Sequence, residues 1–146
     1  MHKALNYMGL ARRGGRIELG EEPCGAAARA GHARLIVVAA DASPHTWRRA
    51  KSYAAGTDQQ CVRVPFSKDE LGEAIGRSSL AMAAFTDPAL ALAFVKALDG
   101  QEQYREVLEN LDAKAKKVKQ RQDEAKAPQR NVRMGKPRRA PGTKKD

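Results

Sequence analysis

The sequence predicts an α/β fold, with helices covering both faces of a parallel or mixed sheet. Segments whose apolar residues have helical spacing alternate with short apolar segments, in the order αβαβαβαβα. The run Leu35–Ala39 has no polar alternation, which is typical of a strand covered on both faces. The connections between predicted strands are of helical length, as crossovers in such a sheet require.

Local signals at the ends of the segments set the boundaries of these elements. Ser43 before Pro44 suits an N-cap and first helical position, and Asp87 before Pro88 repeats the pattern. Ser67 and Glu70 form a capping box. The predicted helices are residues 3–13, 21–30, 44–56, 67–76 and 87–98, and the predicted strands are residues 17–19, 35–39, 61–64 and 80–85.

The C-terminal third departs from this alternation. A weak apolar stripe over residues 101–127 predicts a helix that docks at its start and then projects into solvent. From Pro128 onward proline, glycine and basic residues dominate, which predicts disorder. We therefore expect an α/β domain at 1–98, a helical extension at 99–127 and a disordered basic tail at 128–146.

The positive charge is concentrated at the C-terminal end. The chain has 27 basic and 17 acidic residues, and residues 113–146 alone carry 13 basic and 3 acidic side chains. Such an arm favours a polyanionic partner, nucleic acid before an anionic membrane, and the alternative is a solubilising tail. With no long apolar run and no apolar signal core, we expect a cytoplasmic protein that does not engage a membrane.

The sequence offers little catalytic chemistry. It contains no nucleophile elbow, Walker loop, zinc-protease helix motif or dinucleotide-binding glycine motif, so we expect no enzyme, no cofactor, no metal and no small-molecule substrate. Cys24 and Cys61 lack metal-ligand spacing and are interpreted as buried thiols. Asp41 and Ser43 follow the most apolar strand, a usual ligand position, but turn formation and N-capping explain them more simply.

Three stretches together resemble a known family. They are Met8–Gly31, Ala33–Arg49 and the LGEAIGRSS segment at residues 71–79. Their order and spacing are similar to those of the small bacterial YlxQ-like branch of the kink-turn-binding ribosomal protein superfamily, over roughly residues 3–98. The resemblance implies a three-layer α/β/α sandwich on a four-stranded mixed sheet, with an RNA-binding domain at 1–98. It also implies a non-enzymatic protein of the ribosome and translation machinery that binds structured RNA, with ribosomal RNA and ribosomal proteins as candidate partners.

The resemblance also implies where RNA would bind. In that family RNA is held by the turn before the second helix and by the loop before the fourth strand, which here are Gly20–Cys24 and Gly76–Leu80. A helix N-terminus presents free N–H groups and a positive dipole end to phosphate. Leu80 would lie beneath an extruded base, and three arginines would join from the first helix and its loop. The candidate RNA-binding residues are Arg12, Arg13, Arg16, Gly20, Glu21, Glu22, Gly76, Arg77, Ser78, Ser79 and Leu80.

The residues at the start of the second helix differ from those of the family members that bind RNA best. Those proteins have the pattern Gly-Ala-Asn-Glu-x-x-Lys. When the pattern is aligned on Gly20, its Asn, Glu and Lys are replaced here by Glu22, Pro23 and Ala26. Glu22 can accept hydrogen bonds from base amino groups, whereas Glu21 and Glu22 can also be ordinary acids at a helix N-terminus. The alternative function is a protein-interaction module with a degraded RNA face, in which the acidic helix at 102–112 joins the interface.

Overall fold

The computed structural model describes residues 2–99 and 101–134, and side chains to Gln120 except Gln101. The chain divides into two compact units after Asp112, and the first contains the sheet. Its elements are α1 (Lys3–Arg13), β1 (Ile17–Leu19), α2 (Glu21–Arg29), β2 (Leu35–Val38), α3 (Pro44–Ala54), β3 (Gln60–Arg63), α4 (Lys68–Ala74), β4 (Met82–Phe85), α5 (Pro88–Lys96), a 3-10 turn (Gln101–Tyr104) and α6 (Arg105–Met134).

All nine predicted helices and strands of the α/β region are present, with ends that differ by a few residues. The helical extension begins as a 3-10 turn, and α6 then continues beyond the predicted end at residue 127 to Met134. The prediction of disorder from Pro128 onward is therefore wrong for residues 128–134, which continue the helix in spite of the proline. The rest of the predicted tail, residues 135–146, lies outside the described residues, and the three-part division of the chain stays a prediction.

The sheet is four-stranded and mixed, as predicted. Its strand order is β1-β4-β2-β3, with β2 parallel to β3 and β4 antiparallel to both of its neighbours. Strands β1, β2 and β3 therefore end at the same edge of the sheet, and β4 begins there. We call this edge the upper edge and the opposite one the lower edge.

Helices cover both faces of the sheet, which confirms the three-layer α/β/α sandwich. Helices α2 and α3 pack together on one face, and α1 packs with α4 and α5 on the other. The central strands β2 and β4 are buried along their whole length, as the unbroken apolar run at 35–39 predicts for β2. Phe85 of β4 contacts Phe94 of α5 at 5.2 Å between ring centroids.

The predicted helix starts are confirmed by their hydrogen bonds. Ser43 Oγ accepts from the Thr46 amide at 3.2 Å, and Asp87 Oδ1 accepts from the Ala89 amide at 3.1 Å. Both bonds of the Ser67–Glu70 capping box form. Asp41 Oδ1 accepts from the Lys68 amide at 2.8 Å, so Asp41 ties the loop after β2 to the start of α4. The contacts of Asp41, Ser43 and Ser67 hold the loops of the upper edge in place, whereas Asp87 follows β4 at the lower edge.

The two thiols are free and differ in their surroundings. Cys24 is buried, and burial together with the nearby Glu18 and Glu21 carboxylates raises its pKa from the ordinary 9.0 to about 12. Cys61 is half-buried, and burial raises its pKa while nearby Lys51 partly offsets the shift. The unfolded Cys24 thiol ionises at lower pH than the folded one, so its burial stabilises the fold less as pH rises through that interval.

We expect iodoacetamide at about pH 8 to alkylate Cys61 of the folded protein and to leave Cys24 unmodified, because the thiolate is the reactive form. Mass spectrometry of peptides from a time course measures both rates. Protein unfolded in guanidinium chloride is the control, in which both thiols react. Equal rates in the folded protein would contradict the burial of Cys24.

Candidate nucleic-acid interface

The upper edge brings together the two segments on which the predicted site depends. The Gly20 amide donates to the Met82 carbonyl at 2.9 Å, and the Ala39 amide donates to the Ala81 carbonyl at 3.0 Å. The turn before α2 and the loop before β4 therefore lie side by side. This proximity follows from the register of β1 with β4, which pairs Leu19 with Ala83.

The turn before α2 depends on glycine. Gly20 is the N-cap of the helix with φ +99° and ψ 164°, a backbone conformation essentially restricted to glycine. Its carbonyl accepts from the Cys24 amide at 3.1 Å and so begins the helical ladder. Pro23 has no N–H, so the first turn presents the amides of Glu21 and Glu22, which have no acceptor within the helix. The positive end of α2 is thus directed at the upper edge.

The loop before β4 lies directly on α4. Gly76 has φ +77°, a left-handed conformation, and the Arg77 amide donates to the Gly72 carbonyl at 2.8 Å. A Cβ added to Gly72 would lie 2.6 Å from the Ser79 nitrogen and 2.8 Å from the Arg77 oxygen. Only a glycine at position 72 leaves room for the loop backbone. The side chains of residues 77–79 are exposed as a result.

Sequence reasoning missed the role of Gly72, although the residue lies within the quoted 71–79 segment. A glycine inside a helix lowers helix stability, so its presence there is itself a sign of close packing. That signal does not say which backbone approaches the glycine. The contact with residues 77–79 depends on how the chain turns after α4.

Leu80 differs from the expectation that it lies beneath an extruded base. Its side chain is only 4% exposed and belongs to the hydrophobic core. The Leu80 amide donates to the Lys68 carbonyl at 3.0 Å, which draws this residue inward against the start of α4. The exposed part of the loop therefore ends at Ser79.

The last turn of α1 and the loop after it, which carry the three arginines, lie at the lower edge, away from Gly20. Arg16 precedes β1, its carbonyl accepts from the Thr86 amide at 3.0 Å, and its guanidinium pairs with Asp87 at 3.3 Å. Arg12 and Arg13 are in the last turn of α1, just before it. Closeness in sequence to Gly20 does not bring Arg16 beside it, because β1 separates the two residues by about 13 Å of extended chain, and RNA contact by the three arginines stays a prediction.

Glu21 is paired with side chains of α3. Its Oε1 accepts from Arg49 Nη1 at 3.1 Å and its Oε2 accepts from Thr46 Oγ1 at 3.4 Å. The hydrogen bond raises the pKa of the Arg49 guanidinium above its ordinary value. Ser43 Oγ in turn donates to Thr46 Oγ1 at 3.1 Å. The positive charge of Arg49 therefore offsets the Glu21 carboxylate at the upper edge.

Sequence reasoning missed Thr46 and Arg49 because they reach Glu21 only through the packing of α3 on α2. Gly25 of α2 permits that packing, since a Cβ there would lie 2.9 Å from the Tyr53 ring.

Glu22 differs from Glu21. It is exposed, and within the described residues we find no hydrogen bond or ion pair for its carboxylate. Glu22 is thus a carboxylate beside the turn before α2 that is open to a ligand.

Two further features bear on the class of site. Among the described residues, no three or more histidine, cysteine or acidic side chains are grouped so that they could hold a metal ion. Within the same part of the chain, no helix is long and apolar enough to cross a membrane.

Comparison with known proteins identifies the family. The model of the Ribosomal protein L7Ae/L30e/S12e/Gadd45 family matches residues 2–92, and this chain belongs to that family. The RNA-binding protein YlxQ of Enterococcus faecium is 36% identical over 75 residues, which span 51% of this chain and 72% of that protein. Both findings confirm the resemblance to the YlxQ-like branch.

Solved structures share the fold. A protein of unknown function from Bacillus halodurans superposes with a TM-score of 0.63 at 24% identity, over 68% of this chain and 99% of that one. The Giardia lamblia 15.5kD RNA binding protein superposes with a TM-score of 0.50 at 23% identity, over 68% of this chain and 84% of that one. At such identities the likeness concerns the fold alone.

Proposed function

We propose that this protein is a non-enzymatic RNA-binding protein that holds structured RNA at the upper edge of its sheet. The observation that carries the proposal is the hydrogen bond from Gly20 to Met82, which places the N-terminus of α2 beside the exposed loop 77–79. Membership of the family and the name of the Enterococcus faecium relative support it. We further propose that the protein acts in the cytoplasm with the ribosome or translation machinery.

The electrostatics of the upper edge suit an RNA backbone. The Arg77 side chain is exposed, and within the described residues we find no carboxylate paired with it. Ser78 and Ser79 add hydroxyl donors, and the first turn of α2 adds amides and the positive helix end. Arg49 offsets Glu21, which reduces the repulsion of an approaching phosphate. The contact surface that we propose is therefore Gly20, Glu21, Glu22, Gly76, Arg77, Ser78 and Ser79.

The RNA that we propose is folded and resembles a kink-turn, with ribosomal RNA as the candidate. A kink-turn exposes base edges as well as phosphates, and in this proposal the exposed Glu22 carboxylate accepts from a base amino group. That contact would stand in for part of the family pattern that Pro23 and Ala26 have lost. Ribosomal proteins would then be neighbours on the same RNA.

A second candidate function is protein interaction, as the acidic segment 102–112 indicates. Glu102, Glu106 and Glu109 are all exposed and belong to the 3-10 turn and the start of α6. Such a face repels RNA and suits a basic protein surface. An unchanged ratio of hairpin affinity to unstructured-RNA affinity in both variants described below would favour this function.

We expect Arg77→Ala to weaken binding to a kink-turn hairpin by about 5- to 150-fold, because a charge-assisted contact to a phosphate or base edge contributes about 1–3 kcal/mol. Binding to an unstructured RNA should change much less. The measurement is a titration of both RNAs by fluorescence anisotropy. Arg29→Ala is the matched control, because Arg29 is an exposed arginine in the last turn of the same α2, toward the lower edge.

Glu22→Ala tests the base contact at the same time. If the carboxylate accepts from a base, this variant weakens binding to the hairpin and spares the unstructured RNA, which is the result we expect. If Glu22 only repels phosphate, the same variant tightens binding to both RNAs about equally. Should neither variant change the ratio of the two affinities, the upper edge is not the RNA site.

A further inference from the structure

The outer face of α3 is a cationic surface outside the upper-edge site. The helix carries Arg48, Arg49 and Lys51 and no acidic residue. Arg49 is occupied by Glu21, whereas Arg48 and Lys51 are exposed and lie three positions apart, which places them on one side of the helix. Arg63, at the end of the neighbouring strand β3, is exposed as well.

An aromatic ring holds two of these cations in place. Arg63 Cζ lies 4.9 Å from the centroid of the half-buried Trp47 ring, and Lys51 Nζ lies 5.6 Å from it. Cation–π attraction orients a charge without cancelling it, unlike a salt bridge. Among the described residues, the salt bridges include none from Arg48, Lys51 or Arg63. The full positive charge of all three side chains is therefore available to an anion.

We propose that Arg48, Lys51 and Arg63 form a second contact surface, which binds backbone phosphates of the RNA held at the upper edge. The inference rests on the proposed function. Helix α3 begins at the upper edge, since Ser43 follows β2, so the surface extends from the edge along the side of the domain. A folded RNA seated at the edge would pass over it.

The ligand is the RNA backbone and not a stacked base. The Trp47 ring is half-buried and already covered by two cations, so it does not present a free face to a base. Beside Trp47 a groove of about 450 Å³ separates β3 from the 3-10 turn, and Glu102 and Glu106 line its far wall. Arg105 offsets Glu102 at 2.8 Å, whereas Glu106 has no ion pair among the described residues and repels a phosphate from the groove. The backbone is thereby kept on the solvent face of α3.

The test uses the full chain and a kink-turn hairpin, titrated at several salt concentrations. The triple variant Arg48→Gln, Lys51→Gln and Arg63→Gln removes the three charges. Each phosphate contact contributes about 1 to the magnitude of the negative slope of log affinity against log salt. We therefore expect the magnitude of the slope to decrease by about 3. Arg48→Gln alone, which leaves the Trp47 contacts untouched, should lower it by about 1.

The matched control removes equal charge at the lower edge, with the triple variant Arg12→Gln, Arg13→Gln and Arg29→Gln. We expect it to leave the slope unchanged, which also tests the sequence-based expectation for Arg12 and Arg13. Trp47 is the single tryptophan of the chain, so its emission reports on this surface directly. We expect hairpin binding to change that emission in the wild-type protein.

The outcomes separate this inference from the proposed function. Hairpin binding with an unchanged slope in the α3 variants and an unchanged Trp47 emission overturns the inference and leaves the upper-edge site standing. An equal decrease of the salt slope in both triple variants overturns the inference, because the affinity would then depend on net charge and not on the position of the charges. A change of Trp47 emission with polyglutamate and none with RNA overturns it in favour of an acidic protein partner. Absence of hairpin binding by the wild-type protein overturns both proposals.

Discussion

Removal of residues 113–146 is expected to lower the affinity for any RNA by at least about 10³-fold at low salt and to flatten its salt dependence. The segment carries 13 of the 27 basic residues and only 3 acidic ones. Each phosphate neutralised adds about 0.9 to the magnitude of the negative slope of log affinity against log salt. Phosphate contacts from half of the 13 basic residues thus account for about 6 of that magnitude, which is lost when the segment is removed. The measurement is anisotropy titration of the full and shortened chains over a salt series.

The shortened chain should keep its fold, which makes the comparison interpretable. The cut follows Asp112, where the first compact unit ends, and it keeps the buried residues Tyr104, Val107 and Leu111. Circular dichroism and thermal melting provide the control. We also expect the ratio of hairpin to unstructured affinity to rise, because phosphate contacts carry no sequence information. An unchanged slope would show that the segment does not touch RNA and serves solubility.

Gly72→Ala is expected to destabilise the domain by about 1–3 kcal/mol or more, as overpacking of a close contact does. The added Cβ would lie 2.6 Å from the Ser79 nitrogen and 2.8 Å from both the Arg77 oxygen and the Ser79 Cα. These are backbone atoms, so the loop must move as a whole. Helix propensity alone predicts the opposite sign, since alanine is favoured over glycine by about 1 kcal/mol. Chemical denaturation of both proteins measures the change in the free energy of unfolding, including its sign.

The same substitution should also weaken hairpin binding to at least the extent of Arg77→Ala, because it displaces residues 77–79 together. For stability, Gly76 provides the matched control four residues away, where an added Cβ meets nothing within 4 Å and the backbone has φ +77°. Gly76→Asn should be tolerated, because asparagine adopts the left-handed conformation, whereas Gly76→Val should cost roughly 1 kcal/mol or more. Wild-type melting and wild-type binding by Gly72→Ala would contradict the close contact.

Local signals in the sequence determined the elements of this fold. The caps at Ser43, Ser67 and Asp87 act within three residues of the helix they begin, so no other part of the chain is needed to identify them. The unbroken apolar run at 35–39 likewise indicates a covered strand by itself. The mixed four-stranded sheet and the candidate RNA-binding edge were predicted from resemblance to a family, because apolar runs do not say which strand pairs with which.

Only the tertiary structure decided which of the candidate residues share a surface. The insertion of β4 between β1 and β2 placed Gly20 beside the loop 77–79, and the extended length of β1 left Arg16 at the lower edge with Asp87. The packing of α3 on α2 brought Arg49 to Glu21. Contacts of this kind join residues tens of positions apart. Their energies depend on the relative positions of whole elements, which no local pattern of residue types records.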